Sequence, residues 1–336
     1  MPSQVCVAIA DPSQVGAARR ESVKMAQAAN LDEVRTGEVA IVATELANNL
    51  SRYGKGGRLL MQVMHDEGGA SLELMAVDSG PGMSDLQACM RDGYSTGGTA
   101  GTGLGAVRRL SDDFDCYSLP EQGTVVLSRV RGQRRASTGF AVGAVSIPAP
   151  YEDVCGDTWC VAERPGEIAA MVADGLGHGP AAAEAAVLAS ASFREHPFGD
   201  PTAFFPRAHK NLTGSRGAAV ACAHVMVQGA VRYAGVGNIA GTLIGPEGRR
   251  GLPSQNGTVG VAMRSVAPSG QYAWPDKGLL IMHSDGVLAR WTLDAYPGLL
   301  VRHPAVVAAI LWRDFVRGRD DATVLVISAP RRTGSS

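Results

Sequence analysis

The stretch GYSTGGTAGTGLGAVRRL (93–110) packs six glycines into a polar loop that runs into a helical pattern. Inside it, GTGLGA (101–106) matches G-x-G-x-x-A, a variant of the dinucleotide-binding fingerprint. That fingerprint works only directly after a buried strand, because the strand aims the glycine turn at the pyrophosphate. Here the lead-in is DGYSTGGTA, polar and turn-forming, so a Rossmann reading is set aside. No G-x-x-x-x-G-K-[ST] occurs either, so a P-loop reading is set aside as well. The meaning of the loop must come from its distant partners.

Working outward, QVCVAIA (4–10) reads as a short strand and PSQVGAARRESVKMAQAANL (12–31) as an amphipathic helix. TGEVAIVATELANNLSRYG (36–54) predicts a second helix with Val39, Val42, Leu46, Leu50 and Tyr53 near one face and Gly54 as its C-cap. RLLMQVMHD and ASLELMAVDSG read as strands, LGAVRRLSDDF as a helix and GTVVLSRV as a strand. On the second helix Glu45 and Asn49 lie four residues apart, hence on one face. VDSGPGM ends an apolar strand with Asp78, followed by Gly80 and Gly82. Alone, that stretch is a turn and the helix pair a solvated face. Together with the glycine loop they form an ordered trio.

This trio resembles the GHKL (Bergerat) family of ATP-binding folds. ATELANNLSRYGKGG, VDSGPGMSDLQACMRDGYSTGG, GTGLGAVRRLSDDFD and EQGTVV resemble in particular the RsbT-type switch kinases, over nearly all of residues 5–130. The resemblance implies roles. Asn49 would hold Mg2+ against the phosphates of ATP, and Asp78 would accept the adenine amino hydrogens. Gly80 and Gly82 would let backbone pass close to the base. Gly101, Gly103 and Gly105 would shape a lid, and a helix starting near Leu104 would offer free N–H groups to phosphate. Thr124 would support the adenine side. Glu45 would be the general base for a substrate hydroxyl.

RGQRRASTG (131–139) is basic, small and polar, and is the linker candidate. The expected organisation is a GHKL domain over 1–131, a linker over 132–139 and a second domain over 140–330. Beyond the linker, short apolar runs alternate with Gly/Pro turns, with helix-like GPAAAEAAVLASASFREH and HPAVVAAILWRDFV between them. That pattern predicts layered, mostly antiparallel sheets with helices. Acidic residues recur at the ends of the runs: Asp157 in EDVCGDTW, Asp174 in EIAAMVADG, Asp285 in GLLIMHSDG, and Asp320 and Asp321 in RDDATVLVIS. Carboxylates without His or Cys partners suit hard cations, Mg2+ or Mn2+. Two such ions sharing a carboxylate can activate a water for attack on phosphorus.

CGDTW, VADGLGHG, GVGN, HSDGV and RDDATVLVI, in that order, resemble the metal-dependent PPM-type serine/threonine phosphatases, in their SpoIIE-like branch and nearest the RsbX type. The resemblance implies two ions held by Asp157, a bridging Asp174, the Gly175 carbonyl, Asp285 and Asp320. Asp321 falls where that family often has Asn, which implies a supporting role. His178, in GLGHG, is read as structural rather than catalytic. No residue is assigned to grip the phosphate.

Net charge is −1, which gives no basic surplus for nucleic acid or an anionic membrane. The start MPSQVCVAIADPS has no signal-peptide pattern, and no run of 18 apolar residues occurs, so a cytoplasmic protein is expected. The six cysteines form no C-x-x-C pair, and a zinc reading of Cys155 and Cys160 is set aside. The expected fold class is α+β in two domains: a GHKL α/β sandwich, then a PPM β-sandwich flanked by helices. The two resemblances together imply a bifunctional partner-switching enzyme. Its substrates would be STAS-domain antagonists of the RsbS/RsbR type, with a downstream phosphatase or a sigma or anti-sigma factor as further partners. The alternatives are an ATP-sensing front domain that does not transfer phosphate, and a front domain that only binds a partner.

Overall fold

A computed structural model describes residues 4–66, 69–86, 103–133, 139–227, 229–263, 266, 268–275 and 277–329. It divides into two compact units. One is built from Pro2–Ser137 with Leu293–Arg302, the other from Thr138–Thr292 with His303–Ser336. Among the described residues no helix is long and apolar enough to cross a membrane. The architecture is α+β, as the sequence pattern predicts.

The first unit has strand β1 (Val5–Ala8), helices α1 (Ser13–Ala28) and α2 (Glu33–Tyr53), strands β2 (Arg58–Asp66) and β3 (Gly69–Asp78), helix α3 (Gly103–Leu110), and strands β4 (Asp113–Leu119) and β5 (Gly123–Arg131). The strands form one antiparallel sheet in the order β1-β2-β3-β5-β4. Alternation puts Leu59, Met61, Leu72, Leu74, Ala76, Val126 and Val130 on the face that packs against Met25, Val39, Val42, Leu46, Leu50 and Val107 of the three helices. Gln62, Glu73 and Arg129 are cross-strand neighbours of opposite parity. All three are buried, and Glu73 accepts from Gln62 Nε2 (2.7 Å) and Arg129 Nε (2.6 Å). Tyr117 of β4 donates to the Pro297 carbonyl (3.1 Å).

Three local expectations change. Helix α2 starts a turn earlier than its apolar pattern, because the Asp32 carboxylate caps it by accepting from Arg35 N (2.8 Å). Tyr53 does not share the buried face, and Gly54 ends the helix with extended backbone (φ −75°, ψ 145°) rather than a left-handed cap. SDDF is not helical. α3 stops at Leu110 and Asp113 already begins β4, whose alternating DFDCYSL the helix pattern obscured.

The start of α2 is fixed by a buried ionic cluster. Arg35, 5% exposed, donates through Nε to the Arg131 carbonyl (2.7 Å) and pairs with Glu38 and Asp112. Asp112 also accepts from Arg131 N (2.8 Å).

The second unit has strands β6 (Ala141–Ile147), β7 (Asp157–Arg164) and β8 (Glu167–Gly175), helices α4 (Pro180–Glu195) and α5 (Phe204–Asn211), strands β9 (Ala218–Met226), β10 (Ala230–Val236), β11 (Ala240–Gly245), β12 (Gly248–Leu252), β13 (Gly270–Ala273) and β14 (Leu279–His283), helix α6 (Pro304–Phe315) and strand β15 (Ala322–Ser328). They form two five-stranded sheets, β13-β10-β9-β8-β7 and β12-β11-β14-β15-β6. Every pairing of these strands is antiparallel. Phe193 of α4 and Phe204 and Phe205 of α5 pack on one face of the first sheet against Met171, Val220 and Val236. Helix α6 lies against β6, where a side chain on Gly143 would meet the Ala305 backbone at 1.9 Å. The sheets face each other: Tyr233 of β10 lies under Gly241 of β11, and Ser284 after β14 bonds Asp157 of β7.

Removing one partner of a buried ionic cluster strands the other charge. Asp112→Ala is expected to cost the first unit about 3 kcal/mol, read as faster amide exchange across α2 and β5 in the full chain. A cost near zero would show that Glu38 alone satisfies Arg35.

Candidate active sites

In the first unit the site forms where α2, the end of β3 and the start of α3 meet. Glu45 and Asn49 are half-buried on α2. A Cβ built on Gly103, the first residue of α3, would lie 3.0 Å from Glu45 Oε2 and 3.8 Å from both polar atoms of the Asn49 amide. The helix after the glycine loop therefore begins against the two predicted α2 residues, and a side chain at position 103 would press on the Glu45 carboxylate. Leu104 packs on the helix–sheet core and Gly105 is buried, so they anchor the start of α3. Gly101 lies outside the described residues.

At the end of β3, Asp78 Oδ1 accepts from Gly80 N (2.7 Å). Gly82 takes φ +68°, and any side chain there would strike the Leu119 carbonyl. Thr124 stands directly across from Asp78 on β5, and its hydroxyl bonds Ser118 Oγ (2.8 Å). Ser118 Oγ in turn accepts from Met83 N (2.8 Å). Asp78, Gly80, Gly82 and Thr124 are thus tied through one local network. An amide oxygen and a carboxylate beside a helix start suit a phosphate–Mg2+ group, and a carboxylate at a strand end suits an adenine amino group. Ser118 was missed by sequence reasoning, since the strand carrying it was read partly as helix.

In the second unit, antiparallel register places Asp157 of β7 directly opposite Asp174 of β8. Gly175 follows, and a Cβ there would meet the Ala182 carbonyl of α4 at 2.1 Å, so glycine lets the helix close on this strand end. Asp285, just after β14, accepts from Asn238 Nδ2 (2.7 Å). Ser284 Oγ donates to Asp157 Oδ2 (2.6 Å) and accepts from Thr323 N (3.0 Å). Asp321 is buried and accepts from Ala149 N (2.7 Å) and Gly156 N (2.9 Å), which fits the supporting role. Asp320 is half-buried beside it and accepts from Asp321 N (2.9 Å). His178 Nδ1 bonds Glu152 Oε1 (2.6 Å) on the surface of the same loop region.

The carboxylates lie within electrostatic reach of one another. Burial, then Asp157, Asp285, Asp320 and Asp321, pushes the Asp174 carboxyl up to about 9. Burial pushes Asp157 up to about 7 despite the Ser284 bond. Asp157 Oδ1 is buried with no hydrogen-bond partner. Among the described residues no three His, Cys, Asp or Glu side chains stand at the spacing of a bound ion. The donor set is nevertheless all oxygen, crowded with like charge and carries an orphaned buried oxygen, and it fits a hard divalent cation. The two neighbouring thiols go separate ways: Cys155 faces Ser146 and Cys160 faces Ser190. Burial and the charges of Asp157 and Asp321 push the Cys155 thiol well up, which disfavours a thiolate ligand. Sequence reasoning missed Ser284 and Asn238, though both lie inside quoted motifs, HSDGV and GVGN.

The fold and these two sites define a protein that joins a GHKL-type ATP-binding domain to a PPM-type phosphatase domain. Residues 8–129 match the histidine kinase-like ATPase domain family, and residues 164–330 match the stage II sporulation protein E (SpoIIE) family. The chain belongs, through its first domain, to the RsbT family. It is 33% identical over 126 residues to the serine/threonine-protein kinase RsbT of Bacillus subtilis (strain 168), covering 38% of this chain and 95% of that protein. A solved structure from work on the bacterial stressosome as a modular system adapted to control secondary messenger signalling matches with TM-score 0.52 and 28% identity, over 56% of this chain and 98% of that one. RsbX in complex with magnesium matches with TM-score 0.50 and 18% identity, over 58% and 98%, a likeness of fold.

Raised carboxyls give a signed expectation. The folded chain keeps protons on Asp157 and Asp174 that the unfolded chain releases, so their contribution to stability falls as pH rises from 3.8 toward about 9. Asp174→Asn should therefore raise the chelator-treated protein's Tm at pH 8 more than at pH 5, and should abolish the Tm rise given by Mn2+. An unchanged Tm at pH 8 together with a retained Mn2+ effect would contradict this placement of Asp174.

Proposed function

We propose that the chain is a partner-switching enzyme with two opposed activities. The first domain binds ATP–Mg2+ and phosphorylates a Ser or Thr of a STAS-domain antagonist. The second removes phosphate from such a protein with two bound Mn2+ or Mg2+ ions. The observation that carries the reading is the start of α3 at Gly103 against Glu45 and Asn49. In this reading Glu45 is a general base beside the place where a helix start would meet the phosphates, which supports transfer rather than ATP sensing alone.

In this reading Asp78 selects adenine, with Gly80, Gly82 and Thr124 shaping the base side. Asn49 holds Mg2+, and Gly101, Gly103, Leu104 and Gly105 form the phosphate lid. Glu45 takes the proton of the substrate hydroxyl as its oxygen bonds to the γ-phosphorus and the bond to the ADP oxygen breaks. The step is mainly positioning and charge neutralisation. In the second domain Asp157, Asp174, the Gly175 carbonyl, Asp285 and Asp320 hold the ions. Bound there, the ions would supply an acidified water and neutralise phosphate charge. Ser284 fixes one oxygen of Asp157, and Asn238 fixes one of Asp285. The RsbT relative and the stressosome-derived fold match support a STAS-domain protein as substrate.

Labelled phosphate should pass from ATP to a STAS protein. Glu45→Ala should lower that rate by about 100-fold or more, while Asp174→Asn leaves it intact and instead abolishes Mn2+-dependent release of phosphate from the product. No transfer, combined with a phosphatase rate that responds to ATP, would make the first domain a sensor. A stable complex with a sigma factor and no transfer would make it a binding module.

A further inference from the structure

We propose that Arg216 is the residue that grips the phosphate at the carboxylate site. The proposal rests on the phosphatase reading above. It addresses a problem which that site sets: a phosphate ester brings negative charge to a strand end already crowded with carboxylates. A planar guanidinium, which binds two phosphate oxygens at once, is the side chain suited to hold it.

Register brings Arg216 to the site. In the β8–β9 pairing Asp174 lies opposite Ala219 and Gly175 opposite Ala218. Carrying that antiparallel register past the strand ends sets Arg216 opposite Gly177. The side chain is found there: a Cβ on Gly177 would lie 2.9 Å from Arg216 Nη1. The two segments are clamped by Leu176 N donating to the Gly217 carbonyl (3.0 Å), and Gly217 N is held by Ser215 Oγ (3.1 Å). Gly177, at φ +85°, leaves the space the guanidinium occupies.

The donors of Arg216 are also unspent. Arg35, Arg129 and Arg131 are bound to carboxylates or carbonyls of their own unit. Arg216 is exposed and makes no hydrogen bond or ion pair with any described residue. His178, the other basic side chain of the Gly177 loop, is taken by Glu152. An arginine held over the loop that begins at Asp174 and Gly175, with its fork open to solvent, is placed to receive the outer oxygens of a phosphate while the carboxylates hold the ions beneath.

The test uses the full Mn2+-loaded chain with an aryl phosphate and with inorganic phosphate as inhibitor. Arg216→Ala should raise KM and the phosphate inhibition constant by about 10- to 100-fold, with the Mn2+ concentration for half-activity changed less than twofold. Arg216→Lys should recover part of the loss. Independently of turnover, phosphate should raise the Tm of the Mn2+-loaded parent but not of Arg216→Ala. Unchanged phosphate inhibition, or a shift in Mn2+ dependence instead, would overturn the assignment. A parent chain without turnover would refute the phosphatase reading separately. The phosphate-dependent Tm would still decide Arg216, since an equal rise in parent and variant overturns it.

Discussion

The pairing of Asp157 with Asp174 across β7 and β8 is the constraint on which the second unit turns. Burial makes both carboxylates costly to charge, and neighbouring like charge adds to that cost. Such a pair persists only if the surrounding fold enforces it. Here the enforcement is visible: Ser284 bonds one Asp157 oxygen, Thr323 N bonds Ser284, and Asp321 spans Ala149 and Gly156 to close the loop before β7. These contacts come from both sheets. The stability of the sandwich is thereby used to hold an arrangement that is unfavourable by itself, and a divalent cation would offset it. Strain of this kind concentrates at sites of function.

The first unit follows a milder version of the same logic. Its functional face depends on where α2 lies, and α2 is fixed at its beginning by Asp32 and by Arg35 among Glu38, Asp112 and the Arg131 carbonyl. From that anchor the helix delivers Glu45 and Asn49 three and four turns later, against the first residue of α3. No element of this arrangement is catalytic by itself. The proposed chemistry depends on two helices being held at one spacing by a core of Val39, Val42, Leu46 and Val107.

Much of this was legible from the sequence, for identifiable reasons. Strands β2, β3 and β5 and helices α1, α4 and α6 carry long, regular apolar patterns, and tertiary context does not override them. Asp174 and Asp285 were legible because each closes an apolar run before glycine. Register brought Asp157 to Asp174, and no local pattern reveals register. β4 was misread in part because its polar start, SDDF, continues the helical phase of α3. Tyr53 fits the buried stripe of α2 by spacing but is the helix's last residue and is exposed. Ser118, Ser284 and Asn238 act through single hydrogen bonds to other strands. Such bonds are set by the fold and leave no periodic trace.

The two proposed activities, running in one chain, would make a quantitative demand on ATP. The most direct measurement is the number of ATP molecules consumed per molecule of protein substrate, with both metals present. The account predicts that the intact chain consumes ATP continuously in a substrate-dependent cycle. Asp174→Asn should stop after one ATP per acceptor hydroxyl, and Glu45→Ala should consume ATP at least about 100-fold more slowly. ATP consumption that proceeds without the protein substrate, or that is indifferent to Asp174, would contradict the account.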